Sequence, residues 1–169
     1  QDPLWSLDFT PLADPGGRSR PAIHPALAEG LFRTNGRARF TAEPDGLGVA
    51  CQGGLTLETG AAFTPAEGAT VSLWLELGAR RQGLAGIRLE AWGGGRTVSV
   101  AVKPGLPAVL PELPGRIEGV RLRFDPQDRE LSLTLGRAVL QATHPGAPRR
   151  GLYEARTLFG EAVAATAQQ

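Results

Sequence analysis

From Val71 to Leu77 the chain reads Val-Ser-Leu-Trp-Leu-Glu-Leu, an unbroken alternation. Successive side chains of a strand point to opposite faces, so Val71, Leu73, Leu75 and Leu77 share one face only as β-structure. A helix would scatter the same four around its circumference. The period recurs in Trp5–Phe9, Gly48–Cys51, Leu55–Leu57, Gly86–Trp92, Thr97–Val102, Gly119–Phe124, Leu131–Leu135 and Ala138–Ala142. Helical periodicity hardly occurs; Pro25–Leu31 is the one stretch suited to a helical turn or two. With 23 Gly and 14 Pro among 169 residues, a helical bundle is excluded and turns are plentiful.

The breakers also predict the loops. Residues 11–24 and Pro104–Pro114 read as long Pro/Gly-rich loops, as does Pro145–Pro148. Asn35-Gly36 suits a type I′ turn joining Phe32–Thr34 to Arg37–Thr41 as a hairpin. Gly93-Gly94-Gly95 turns Gly86–Trp92 back onto Thr97–Val102, and Asp125-Pro126-Gln127-Asp128 joins Gly119–Phe124 to Leu131–Leu135. Leu152–Ala165 holds the last strand or two. No repeat or linker divides the chain, so residues 1–169 form one all-β, antiparallel sandwich, with 160–169 its fraying end or final strand.

Composition excludes several classes of function. Eighteen basic and seventeen acidic residues leave a net charge of +1, unlike an overall basic nucleic-acid binder. Seventeen of the eighteen are Arg, and Lys103 is the sole Lys, a bias that a GC-rich genome explains. Arg80-Arg81 and Arg149-Arg150 read as solubility residues in loops, with an anionic polymer such as DNA as the lesser reading. The single Cys51 excludes an internal disulfide, and with His24 and His144 alone a multi-histidine metal site is not expected. No apolar run reaches the length of a membrane span. The start at Gln1, without Met, suggests a trimmed, secreted or surface-exposed chain.

Three segments carry a family resemblance. Gly46–Leu57 reads as a strand, a double-Gly turn and a strand; Ala69–Leu75 as Thr-x-Ser-x-Trp-x; and Glu118–Asp125 with Leu131–Val139 as a late hairpin. In order and spacing they resemble the concanavalin A-like lectin and glucanase fold, in its laminin-G-like jelly-roll branch. The resemblance implies a two-sheet jelly-roll sandwich and an extracellular setting. Members that hold calcium gather acidic and amide groups at the sandwich rim. Here Asp125 and Asp128 offer two carboxylates where Ca²⁺ takes about six to eight oxygens, and an Asp capping its own turn explains both. No metal or cofactor is assigned. Glycoside hydrolysis needs a carboxylate pair about 5–10 Å apart, whereas Glu76 and Glu90 are single carboxylates on separate strands, so no enzyme is expected.

If Leu73/Leu75, Ile87/Leu89, Val98/Val100 and Val120/Leu122 face the core, the opposite faces carry a defined polar set. The candidate ligand-binding residues are Trp74, Glu76, Arg88, Glu90, Trp92, Arg121 and Arg123, with Ser72, Thr97 and Ser99 beside them. Aromatic rings stack on the C–H faces of sugars, while carboxylates and guanidinium groups pair with hydroxyls. The same residues also fit a solvated face of cross-strand ion pairs with its Trp rings covered by loops. The expected function is a non-catalytic extracellular recognition or adhesion module, lectin-like and carbohydrate-binding, with a glycan or cell-surface polymer as partner. A second reading is a structural subunit of a bacterial surface appendage, a pilus head or fibre protomer. It would assemble with other subunits through its ends, Gln1-Asp2-Pro3 and Gly160–Thr166.

Overall fold

The computed structural model describes residues 3–8, 12–13, 19–20, 32–34, 36–59 and 62–143. The first strands are β1 (Pro3–Asp8), β2 (Leu12–Ala13), β3 (Ser19–Arg20), β4 (Phe32–Thr34) and β5 (Ala38–Glu43). They are followed by β6 (Gly46–Gln52), β7 (Leu55–Thr59), β8 (Thr70–Gln82), β9 (Leu84–Gly93) and β10 (Arg96–Ala101). β11 (Ala108–Val109), β12 (Gly119–Pro126) and β13 (Glu130–Thr143) complete the series, and every pairing among them is antiparallel.

Two large sheets form a β-sandwich. The first sheet runs β11-β8-β13-β6-β5, and the second runs β10-β9-β12-β7-β4. β13 serves three partners in the first sheet: β8 lies along one edge, while β6 and then β1 share the other. Buried side chains from both sheets make one core, with Leu47, Leu73, Leu75 and Leu131 from the first meeting Leu55, Leu57, Leu89, Leu122 and Phe124 from the second. Each such Leu contributes about 2 kcal/mol by leaving water. The alternation read from the sequence holds here: Leu73, Leu75, Ile87, Leu89, Val98, Val120 and Leu122 are buried, and Val100 packs against them.

The β9–β10 turn is also as expected. Gly93 pairs with Arg96, which leaves Gly94 and Gly95 as a two-residue loop with φ of 58° and 75°. Both values lie in the left-handed region that a type I′ turn requires.

Two expected hairpins do not form. β4 pairs with β7 in the second sheet while β5 pairs with β6 in the first, so the chain crosses the sandwich at Gly36 instead of turning within a sheet. The reason is apolar: Phe32 and Phe40 stack at 5.7 Å between ring centroids, a contact across the sandwich that side-by-side pairing would forfeit. Likewise, β12 and β13 fall in different sheets. Both edges of β12 are occupied, by β9 and by β7, so no edge remains for β13. Backbone bonds from Gln127 N to Gly83 O (2.7 Å) and from Gly53 N to Arg129 O (2.7 Å) secure that crossing.

Three expected loops contain strands, and in one of them Arg80-Arg81 falls within β8. Leu12–Ala13 and Ser19–Arg20 pair as a small ribbon, and Ala108–Val109 adds to β8. Too short to show a period, these last segments gain their pairing from the strands beside them. The expected helical turn at 25–31, the Asn35 half of the turn, the loop at 145–148, His24, His144, Arg149-Arg150 and the strands at 152–165 lie outside the described residues, as do Gln1, Asp2 and 160–169. No helix among the described residues is long and apolar enough to cross a membrane.

Candidate functional site

The central strands of the second sheet, β9 and β12, place their polar residues on the side away from the core. Cross-strand register sets these residues in rows. Ser99 lies opposite Glu90, Glu90 opposite Arg121, and Arg121 opposite Glu58. In the next row Ala101, Arg88, Arg123, Thr56 and Arg33 follow one another across all five strands. Five of the seven residues singled out from the sequence, Arg88, Glu90, Trp92, Arg121 and Arg123, therefore share this face.

Glu90 organises the face. It is 9% exposed, and its Oε1 accepts from Arg121 Nε at 2.8 Å and from Arg123 Nη1 at 3.2 Å. Arg123 Nη2 reaches Asp125 Oδ1 at 3.2 Å, and the hydrogen bond to Asp125 and the charge of Glu90 raise the Arg123 pKa above its ordinary value. Arg88 Nη2 donates to Ser99 Oγ at 2.7 Å. A carboxylate with two guanidinium partners is well compensated for its partial burial.

Trp92 lies beside this network on a glycine platform. A Cβ at Gly119, its partner on β12, would stand 2.6 Å from Trp92 Cη2, so the indole uses the space that glycine leaves open. The Arg121 guanidinium carbon sits 4.6 Å from the centroid of the Trp92 ring, a cation–π contact. Next to them is a depression of about 460 Å³ lined by Trp92, Gly93, Gly95, Arg96, Thr97, Glu118 and Arg121. Arg96 is paired with Glu112, and Glu118 Oε1 receives the Gly94 N–H at 3.5 Å. The surface thus joins an aromatic face to fixed donors and a carboxylate acceptor, a combination suited to a polyhydroxylated ligand.

Trp74 and Glu76 do not belong to this site. They lie on β8 in the other sheet and point away from the same core, which places them on the opposite side of the sandwich. Trp74 Nε1 donates to Glu76 Oε1 at 2.9 Å, so the pair satisfies itself. The seven candidate residues therefore do not form one site, because Trp74 and Glu76 stand on a different sheet from the other five. Alternation reports the face of a strand, whereas sheet membership depends on the distant pairings of β8 with β13 and of β9 with β12.

A polar cluster that the sequence did not suggest lies on the first sheet. Between the pairs Leu133–Arg81 and Leu135–Leu77, β8 has three residues, Gly78, Ala79 and Arg80, where β13 has only Thr134. Asp45, at the β5–β6 turn, accepts the Ala79 N–H at 3.0 Å across this bulge. Glu43 pairs with Arg80 and accepts from the fully buried Thr134 Oγ1 at 2.6 Å. Its partners lie 37 and 91 residues away, and no local motif signals them. The cluster closes a bulge, and both Glu43 oxygens accept hydrogen bonds within it. Cys51 is buried, and desolvation pushes its thiol above the ordinary cysteine value. Among the described residues no group of three or more His, Cys, Asp or Glu is placed to hold a metal ion. Comparison with family models, with curated proteins and with solved structures finds no match for this chain.

Proposed function

We propose that this chain is a non-catalytic extracellular recognition module of lectin-like kind, and that it binds carbohydrate on the outer face of the β10-β9-β12-β7-β4 sheet. The observation that carries the reading is Trp92, seated on Gly119 against Arg121 at the edge of the depression. An indole anchored in this way offers a rigid apolar surface for sugar C–H groups, at little cost in side-chain freedom. Thr97 and Glu118 supply hydroxyl partners around it. The concanavalin A-like, laminin-G-like jelly roll is part of the same proposal. In its favour, the chain changes sheet between β4 and β5, at each step from β6 to β9, and at each step from β10 to β13, a connectivity natural to that architecture. The extracellular setting follows from that resemblance.

A glycan array of neutral and acidic oligosaccharides tests the reading. Binding to a defined subset, lost in Trp92→Ala while the β circular-dichroism signal is kept, is the expected result. An array without a single ligand, or undiminished binding by Trp92→Ala, overturns it.

A further inference from the structure

Two guanidinium groups line the depression, Arg96, which is paired with Glu112, and Arg121, whose hydrogen-bonding capacity is mostly unspent among the described residues. Arg123 gives Nη1 to Glu90 and Nη2 to Asp125, and Arg88 gives Nη2 to Ser99. Arg121 gives only Nε, to Glu90, and among the described residues neither of its terminal nitrogens donates a hydrogen bond. The group is nevertheless held on two sides, by the Glu90 carboxylate and by the Trp92 ring. A guanidinium fixed through Nε and stacked on an indole keeps its terminal edge in place before any ligand arrives. Such an edge matches the two oxygens of a carboxylate.

Resting on the carbohydrate reading above, we infer that the sugar bound beside Trp92 is an acidic one, its carboxylate received by the terminal nitrogens of Arg121. Its ring packs on the part of the Trp92 indole that Gly119 and Arg121 leave open, and its hydroxyls reach Thr97 and Glu118. Glu118 on the rim selects among anions. It accepts hydrogen bonds from hydroxyls but repels a second negative charge, which disfavours densely sulfated chains and the phosphate backbone of nucleic acid. Arg96, already paired with Glu112, adds little net positive charge for such polymers.

The test titrates the full chain with galacturonate, glucuronate and sialyl oligosaccharides, each beside its methyl ester, and with dextran sulfate and duplex DNA. The ester keeps the shape of the sugar and removes only the charge, so the comparison requires no variant. At least one acid is expected to bind about tenfold or more tightly than its ester, and Arg121→Lys to lose a similar factor. Esters that bind as well as the acids overturn the inference and leave the carbohydrate reading standing. Tighter binding of dextran sulfate or DNA than of any acidic sugar overturns it as well. If acids, esters and the neutral sugars of the array all fail to bind, both fall together.

Discussion

The Trp92 indole occupies the space above Gly119 that any side chain at that position would need, with Cη2 only 2.6 Å from where a Cβ would stand. The backbone at Gly119 is not in the left-handed region, so glycine is required there for room alone. Gly119→Ala is therefore expected to lift the ring from its platform and break its contact with Arg121. Overpacking of this kind costs about 1–3 kcal/mol. Chemical denaturation would give the loss of stability, and a red-shifted, more quenchable Trp emission would report the displaced ring.

Glu90→Ala removes the carboxylate that two guanidinium groups share. Arg121 and Arg123 keep 33% and 41% of their side-chain surface exposed, so water screens part of the resulting repulsion. A loss of about 2 kcal/mol is expected, below that for a fully buried pair. Double-mutant cycles of Glu90→Ala with Arg121→Ala and with Arg123→Ala would apportion it; the absence of coupling in both would contradict this account.

Gly94 offers a stabilising change. Its φ of 58° suits asparagine, and a Cβ there meets nothing within 4 Å. Gly94→Asn restricts the unfolded chain while keeping a preferred type I′ sequence with Gly95. A gain of about 0.4–1 kcal/mol is expected, read as a higher Tm with an unchanged denaturant m-value.

The thiol of Cys51 is raised by desolvation, so the folded chain holds that proton more tightly than the unfolded chain does. The stability tied to this proton is complete below the unfolded-state pKa and declines as pH rises from there through the folded-state value. Wild type is expected to lose stability faster than Cys51→Ala on going above the ordinary thiol range. Native protein is also expected to resist iodoacetamide at neutral pH and to react once unfolded. Equal pH slopes for the two proteins, or rapid native alkylation, would contradict it.

Much of the fold is legible in the sequence because alternation is a local property. Val71, Leu73 and Leu75 face the core for the reason that makes Ser72, Trp74 and Glu76 face away, and neither statement needs a partner strand. The Gly94-Gly95 turn is equally local, since two residues with positive φ suffice to reverse the chain. The grouping of Arg88, Glu90 and Trp92 follows from one strand, and that of Arg121 with Arg123 from another. Chemistry, period and turn type were set by neighbours in the chain.

Which strands meet was decided only in three dimensions. Asn35-Gly36 and Asp125–Asp128 both resemble hairpin turns, yet the strands on either side of each enter opposite sheets. Trp74 and Trp92 have the same outward parity but lie on opposite sides of the sandwich, which divides the seven-residue candidate site into two and five. Arg121 became a group held at the edge of the depression only when β12 settled beside β9 and brought Glu90 and Trp92 to it. A strand's edges carry the same N–H and C=O groups whatever its sequence, so backbone pairing alone does not choose a partner. That choice falls to the packing of a whole core, here the burial of both sheets' Leu, Val and Phe faces against each other.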